Sequence, residues 1–157
     1  MSPDLRDEIR QRRPFGSLAE EAMVNLGRTS AVLAEAGHRL FRAHGITAAQ
    51  YNVLRILRGA GEAGLGRNEI RERMLDRMPD VTRLLERLEA AGLVRRERGA
   101  EDRRCVPSFL TPQGRVLVDT LDEPVRALQR RHFGHLTPGQ LHTLIEALTL
   151  VRTPPHG

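Results

Sequence analysis

Apolar positions recur at helical spacing along most of the chain and change to alternation only once. Ala22, Leu26, Thr29, Leu33, Ala36 and Leu40 step by three and four. This single stripe predicts one long helix over about 18–43, with a seam narrow enough to pair with another helix. A second helix over 48–58 would bury Val53, Leu54 and Leu57, and a short one runs from Arg67 to Leu75. The next, over 79–91, sets Val81, Leu84, Leu85 and Leu88 on its inner face. Only then does the period fall to two. Leu93–Arg98 and Arg104–Leu110 read as strands joined by Gly99-Ala-Glu-Asp102. Two further helices follow, about 112–133 and 138–152. Pro124 predicts a kink or break in the first of them. Residues 1–16 read as an arm and 153–157 as a tail.

Local signals support these boundaries. Ser17-Leu-Ala-Glu20, Thr47-Ala-Ala-Gln50 and Thr137-Pro-Gly-Gln140 fit the capping box, in which two side chains satisfy free N–H groups reciprocally. Met78-Pro79 and Thr111-Pro112 place proline at a first helical position. Gly45, Gly59, Gly92 and Gly134 stand where helices should stop. Pro107 has no N–H to give a ladder, which predicts a second strand that is bulged or paired on one side.

Helix, helix, short helix, helix, hairpin, long helix, helix is the order of a winged helix-turn-helix with flanking helices. The expected fold is mainly α (α+β). A single domain spans 17–152, with the winged helix-turn-helix at about 47–111 and dimerisation helices at about 17–44 and 112–152. The flanking helices carry more apolar surface than one small reading unit covers, and a second copy of the chain is the simplest cover. A homodimer is therefore expected.

Composition narrows the function. With 157 residues, 39% hydrophobic and 29% charged, the chain falls among soluble globular domains. Aromatics make up only 3%, so the core must be aliphatic, which favours packed helices. All 25 cationic side chains are Arg, whose planar fork suits phosphate and guanine edges, although codon bias alone accounts for so uniform a choice. Residues 67–104 hold eleven arginines against nine acids, so placement rather than bulk charge has to carry any nucleic-acid argument. One cysteine excludes an intramolecular disulfide framework and any CxxC knuckle. No apolar run approaches the roughly 20 residues of a membrane helix, and the start has no signal-peptide pattern. The expected location is the cytoplasm, away from membranes.

Catalytic motifs are missing: there is no Gly-rich phosphate loop, no HExxH, and no nucleophile spaced to meet a base. Neither enzyme activity nor a cofactor is expected. His132 and His135 lie three apart, with His38, His44 and His142 elsewhere. Gly134 ends the helix between the pair and no nearby Cys or acid completes a set, so no metal is expected.

The chemistry concentrates in two places. With its apolar face turned inward, helix 79–91 leaves Asp80, Thr82, Arg83, Glu86 and Arg87 outward, Thr82-Arg83 in its N-terminal half. A recognition helix presents that end to the major groove, where Arg pairs with guanine and Thr meets a thymine methyl or a phosphate. Alone, such a face reads as ordinary solvated surface, with Arg83 beside Glu86 and Arg87. The adjoining hairpin, RRERGAEDRR over 95–104, changes that reading. Its tip carries Arg98, Glu101, Asp102, Arg103 and Arg104. An acid beside paired arginines holds one guanidinium and leaves another free for a narrow minor groove.

The segment Pro79-Asp-Val-Thr-Arg-Leu-Leu-Glu-Arg-Leu-Glu-Ala-Ala-Gly-Leu-Val94, then Glu101-Asp-Arg-Arg104, then Leu110-Thr-Pro-Gln-Gly114, resembles the MarR (multiple-antibiotic-resistance regulator) family. Asp102, Arg104, Leu110, Thr111 and Gly114 match its wing signature, D-x-R followed by L-T-x-x-G. Gln50-Tyr-Asn-Val-Leu-Arg-Ile-Leu57 resembles its second helix. The resemblance covers most of 17–150. It implies a winged-helix dimer with two reading heads on a pseudo-palindromic site. Asp80, Thr82, Arg83 and Arg87 would approach the major groove and Arg103 the minor groove, while Asp102 and Arg104 shape the wing. It also implies a repressor released by a small, often aromatic or phenolic, effector, and by resemblance alone Tyr51, Arg42 and His38 line that cleft.

The expected function is thus a sequence-specific regulator of transcription on double-stranded DNA. A second reading is a helical dimeric adapter that keeps the fold and binds another protein. A third is an oxidant sensor through Cys105, whose thiolate Arg103 and Arg104 would favour.

Overall fold

The computed structural model describes residues 4–97 and 106–153. They fall into two compact units, one through Arg39 and one from Leu40 onward.

In the first unit, α1 (Leu5–Glu8) is a single helical turn capped by Asp4, whose carboxylate accepts from the Arg6 N–H at 3.4 Å. The stretch read as an arm therefore carries structure: Leu5 is buried, and Glu8 pairs with Arg28 at 3.5 Å. Next comes α2 (Leu18–Arg42), within a residue of its expected span. Its Ser17 hydroxyl accepts from the Glu20 N–H at 3.1 Å. The Glu20 carboxylate accepts from the Gly16 N–H at 2.6 Å, one residue ahead of the donor a capping box uses. Along the predicted seam Leu33 and Ala36 are half-buried, while Ala22, Leu26 and Thr29 are exposed.

The second unit begins with the last turn of α2. There follow α3 (Ala48–Ala60), a 3₁₀ turn at Gly61–Ala63, α4 (Arg67–Arg73) and α5 (Val81–Ala90). A hairpin of β1 (Val94–Arg96) and β2 (Ser108–Leu110) leads to α6 (Pro112–Thr120), α7 (Asp122–Phe133) and α8 (Pro138–Arg152). Thr47 and Thr137 complete full capping boxes with Gln50 and Gln140. Among the described residues no helix is long and apolar enough to cross a membrane.

Two boundary expectations need correction. Gly59 lies inside α3; the stop is Gly61, at φ 60, where a side chain would be strained. Pro79 precedes α5 rather than opening it. Asp80 takes the cap instead, its carboxylate accepting from the Arg83 N–H at 3.1 Å.

The strands are short for a reason visible in their ladder. Val94 pairs with Leu110, Arg95 with Phe109 and Arg96 with Ser108. Pro107 meets Glu97 in the next position but closes it with one bond only, its carbonyl accepting from the Glu97 N–H at 3.1 Å. Ser108, whose backbone groups point away from β1, pairs instead with Leu65 through bonds of 3.0 and 2.8 Å. At that position β2 is thus paired on both flanks. Leu65 stands alone between Gly64 and Gly66, too short a segment to show any period in the sequence.

Three consecutive features tie the hairpin to α6. The Thr111 hydroxyl donates to the Gly92 carbonyl at 2.6 Å and accepts from the Gly114 N–H at 3.0 Å. Thr111 N–H donates to the Leu93 carbonyl at 3.1 Å. Gly114 lies so close that a Cβ there would sit 2.0 Å from the Leu93 carbonyl oxygen. The L-T-x-x-G pattern is therefore a packing requirement. Pro124 acts as expected, with the break upstream of the proline: the helix parts at Leu121, between α6 and α7. Proline lacks the N–H that the Thr120 carbonyl would accept, and its ring crowds that same carbonyl.

The core is aliphatic apart from Phe41. Val53, Leu54 and Leu57 of α3, Ile70 of α4, Val81, Leu85 and Leu88 of α5, and Val118 and Leu121 are at most a few per cent exposed. Each such side chain contributes on the order of 1.5–3 kcal/mol by leaving water. This core holds α5 against α3 and α4 and fixes which of its faces looks outward.

Candidate nucleic-acid interface

With Val81, Leu85 and Leu88 buried, α5 turns Asp80, Arg83, Glu86 and Arg87 to solvent and leaves Thr82 half-buried. The outward face is the one the periodicity predicts. Arg83 and Arg87 make no ion pair among the described residues. The lacing of Arg83 to Glu86 that a merely solvated face would show does not form. Asp80 has a second task, since its carboxylate is the N-cap. Arg83 also stands in the first turn, near the positive end of the helix dipole, so its charge adds to it at an anionic surface, while Arg87 lies in the last turn.

Arg67, the first residue of α4, joins this face. Its Nη1 donates to the Thr82 Oγ1 at 3.3 Å. Nothing in the periodicity marks Arg67, because the pairing crosses from one helix to the next. The crossing itself is fixed by Asn52, buried in α3, whose Oδ1 accepts from the Leu75 N–H at 2.9 Å.

The hairpin stem does not offer free cations. Arg95 pairs with Glu97 and lies 4.4 Å from the centre of the Phe109 ring, a cation–π contact. Arg96 pairs with Glu89, its Nε 2.9 Å from the carboxylate. The predicted tip residues Arg98, Asp102, Arg103 and Arg104, and Cys105 beside them, lie outside the described residues.

Beside α3 and α7 is a cleft of about 400 Å³, lined by Phe41, Ala48, Tyr51, Asn52, Arg55, Leu75, Asp122, Val125, Arg126 and Gln129. Tyr51 is there as expected, stacked on Phe41 with ring centres 4.4 Å apart and planes 21° from parallel. Arg42 and His38 are not among the lining residues; both are exposed, and His38 belongs to the first unit. The cations of this cleft are Arg55 and Arg126. Arg55 was legible in principle, four residues after Tyr51 on the same helical face. Arg126 arrives through tertiary packing and left no local trace.

Between cleft and core, Arg58 of α3 donates to both Asp122 oxygens at 2.9 and 3.0 Å and to Asp119 at 2.9 Å. The Arg58 hydrogen bonds, then its charge, hold the Asp122 carboxyl below the usual carboxylate range, and Arg58 is raised in turn. Glu123 is lowered likewise by its hydrogen bond to Arg130, at 2.6 Å. No group of three metal-ligating side chains occurs among the described residues.

Comparison with known proteins places this geometry. A model of the MarR family matches residues 46–106, from the start of α3 into the hairpin. The HTH-type transcriptional regulator TtmR of Methylorubrum extorquens (strain PA1) is 44% identical over 79 residues, 50% of this chain and 40% of that protein. The chain thus spans less than half of TtmR. YkoM of Bacillus subtilis (strain 168), an uncharacterized HTH-type transcriptional regulator, is 30% identical over 87% of this chain and 90% of its own.

Among solved structures, a MarR transcription factor from Planctomyces limnophilus is 39% identical, covering 87% of this chain and 99% of that one, with a TM-score of 0.68. Sco3205, a MarR family transcriptional regulator from Streptomyces coelicolor solved in complex with DNA, is 25% identical over 92% and 95%, with a TM-score of 0.76. BpsR of Bordetella bronchiseptica, whose DNA binding is regulated by 6-hydroxynicotinic acid, is 25% identical over 90% and 99%, with a TM-score of 0.75. The relatives are regulators and not enzymes, the fold is theirs across nearly the whole chain, and the chain belongs to the MarR family of transcription regulators.

Proposed function

We propose that the chain is a homodimeric repressor that reads a pseudo-palindromic operator in double-stranded DNA in the cytoplasm and releases it when a small aromatic ligand binds. The observation that carries this reading is the outer face of α5, where Arg83 and Arg87 stand exposed and unpaired among the described residues beside Thr82. Residues 47–111 form the reading unit, with Asp80, Thr82, Arg83 and Arg87 toward the major groove. Arg98, Asp102, Arg103 and Arg104 form a wing toward the minor groove. Helices over 17–44 and 112–152 join two copies. In support of the last point, α2 leaves Leu18 and Met23 uncovered, and α8 leaves Ile145, Leu150 and Val151 uncovered. That Sco3205 was solved in complex with DNA supports DNA as the partner.

The cleft beside Tyr51 is the effector site of this reading. Its stacked ring and the cations Arg55 and Arg126 suit an aromatic carboxylate or phenolate. Regulation of BpsR by 6-hydroxynicotinic acid is in keeping with that chemistry.

The test is binding-site selection from random duplex DNA with the purified protein, followed by titration of the selected operator. Half-sites should lie about 10–10.5 base pairs apart, one helical turn. Log affinity should fall linearly with log salt as phosphate counterions are released. Arg83→Ala should cost roughly 1–3 kcal/mol and relax specificity at one base pair. A protein that enriches no sequence would leave the fold as a protein-binding adapter.

A further inference from the structure

The Arg58 fork has a task that neither the reading face nor the effector cleft accounts for. At Leu121 the helix parts, because Pro124 cannot donate to the Thr120 carbonyl. The main chain carries only part of the joint: the Leu121 N–H donates to the Leu117 carbonyl at 3.1 Å and the Leu121 carbonyl accepts from the Val125 N–H at 3.0 Å, while the Thr120 carbonyl receives nothing from Pro124. Side-chain packing does little more, since α7 has no buried residue and reaches the core only through half-buried Val125. To these two bonds is added Arg58, three-quarters buried near the end of α3, whose guanidinium grips Asp119 before the break and Asp122 after it. One planar group, with five donors in a rigid fork, thus spans both sides of a joint and ties it to a reading-head helix.

We infer that Arg58 is a positioning residue that sets the angle between the reading head and the α7–α8 arm, and so the spacing of the two half-sites the protein accepts. The inference rests on the dimeric DNA-binding reading above. In a two-fold dimer joined through its terminal helices, a change of angle in one protomer is repeated in the other. The two recognition helices then move together or apart along the duplex axis. A purely structural ion pair, by contrast, would affect stability and leave spacing alone.

The experiment is selection from random duplex DNA with wild type, Arg58→Met and Arg58→Lys, reading half-site sequence and spacing separately. Wild type should enrich one spacing, and lengthening it by one base pair should cost it about tenfold in affinity, the scale of a single poor match in such a site. Arg58→Met, which keeps the apolar stem but no donor, should enrich the same half-site sequence over several spacings, with the tenfold preference lost. Arg58→Lys, a point charge without the fork, should fall between them. Should Arg58→Met fail to fold by circular dichroism, the Asp119→Asn/Asp122→Asn double variant takes its place with the same expectation. A variant pool that keeps the wild-type spacing overturns the inference while leaving DNA binding intact. A wild type that enriches no DNA overturns the function itself, and this inference with it.

Discussion

Two single residues show how tightly the hairpin base is specified. At Gly114 a Cβ has no room, because the neighbour it would strike is backbone rather than a flexible side chain. Gly114→Ala should therefore destabilise the protein by about 1–3 kcal/mol, the scale of an overpacked core, measured as a lower urea midpoint. Ser108 is the opposite case. It is fully buried and its hydroxyl has no partner among the described residues, while its N–H and carbonyl are both bonded to Leu65. Ser108→Ala leaves that backbone intact and removes an unsatisfied polar group, so stability should rise by about 1 kcal/mol. A fall in the unfolding midpoint would show that the hydroxyl has a hidden acceptor. The sequence made Gly114 legible as part of a motif, but the reason for it, the Leu93 carbonyl twenty-one residues upstream, became visible only in three dimensions.

At the scale of elements, helices were the most legible, since α2 and α5 repeat an apolar stripe often enough to fix their type and α8 opens on a full capping box. Boundaries were less so. Gly59 and Pro79 carry stop and start signals that the fold does not use, because Gly61 and Asp80 satisfy the same backbone needs better. The lone strand position at Leu65 and the Arg67–Thr82 bond are pairings between elements, on which local periodicity is silent.

The Arg58 clamp carries an element-scale prediction on pH. Asp122 has a lowered pKa in the folded state, so the stability it contributes is present above the ordinary aspartate value near 3.9 and is lost as pH falls through the folded value. Thermal unfolding should be insensitive to this pair from neutral pH down to about 5. Below that, wild type should lose stability more steeply than Asp122→Asn. The difference should be partial, because Glu123 is lowered by Arg130 in the same direction and remains. Parallel curves for the two proteins down to strongly acid pH would refute it.

For the whole molecule, the apolar surface left on α8 is the sharpest expectation. Leu150 is 71% exposed and Ile145 58%, on a helix with no buried residue of its own. Water does not favour such a face, and a second copy covers it in the proposed dimer. Ile145→Glu should move the protein from dimer to monomer in sedimentation. Operator affinity should fall by about two orders of magnitude or more as the advantage of paired half-sites is lost, while the winged helix stays folded. The expectation of a dimer comes from composition and pattern together, since the flanking helices carry more apolar surface than one reading unit needs. Of the cleft proposed for an effector, only Tyr51 was legible. The residues that give it charge come from α3 and α7, brought together by a fold that periodicity cannot place in space.

The knot at Thr111 also has a bearing on how such a protein can change over generations. One hydroxyl joins the end of α5 to the start of α6, and the ladder above it closes at Glu97 and Pro107. Among the described residues that base is complete at these two positions. Lengthening the chain between them adds loop-closure entropy of about 0.6 kcal/mol for each doubling and leaves the sequence of the described base and core unchanged. The hairpin is therefore a modular site, where insertions and deletions can vary the reach of a regulator toward new operators while the scaffold that holds its recognition helix stays unaltered.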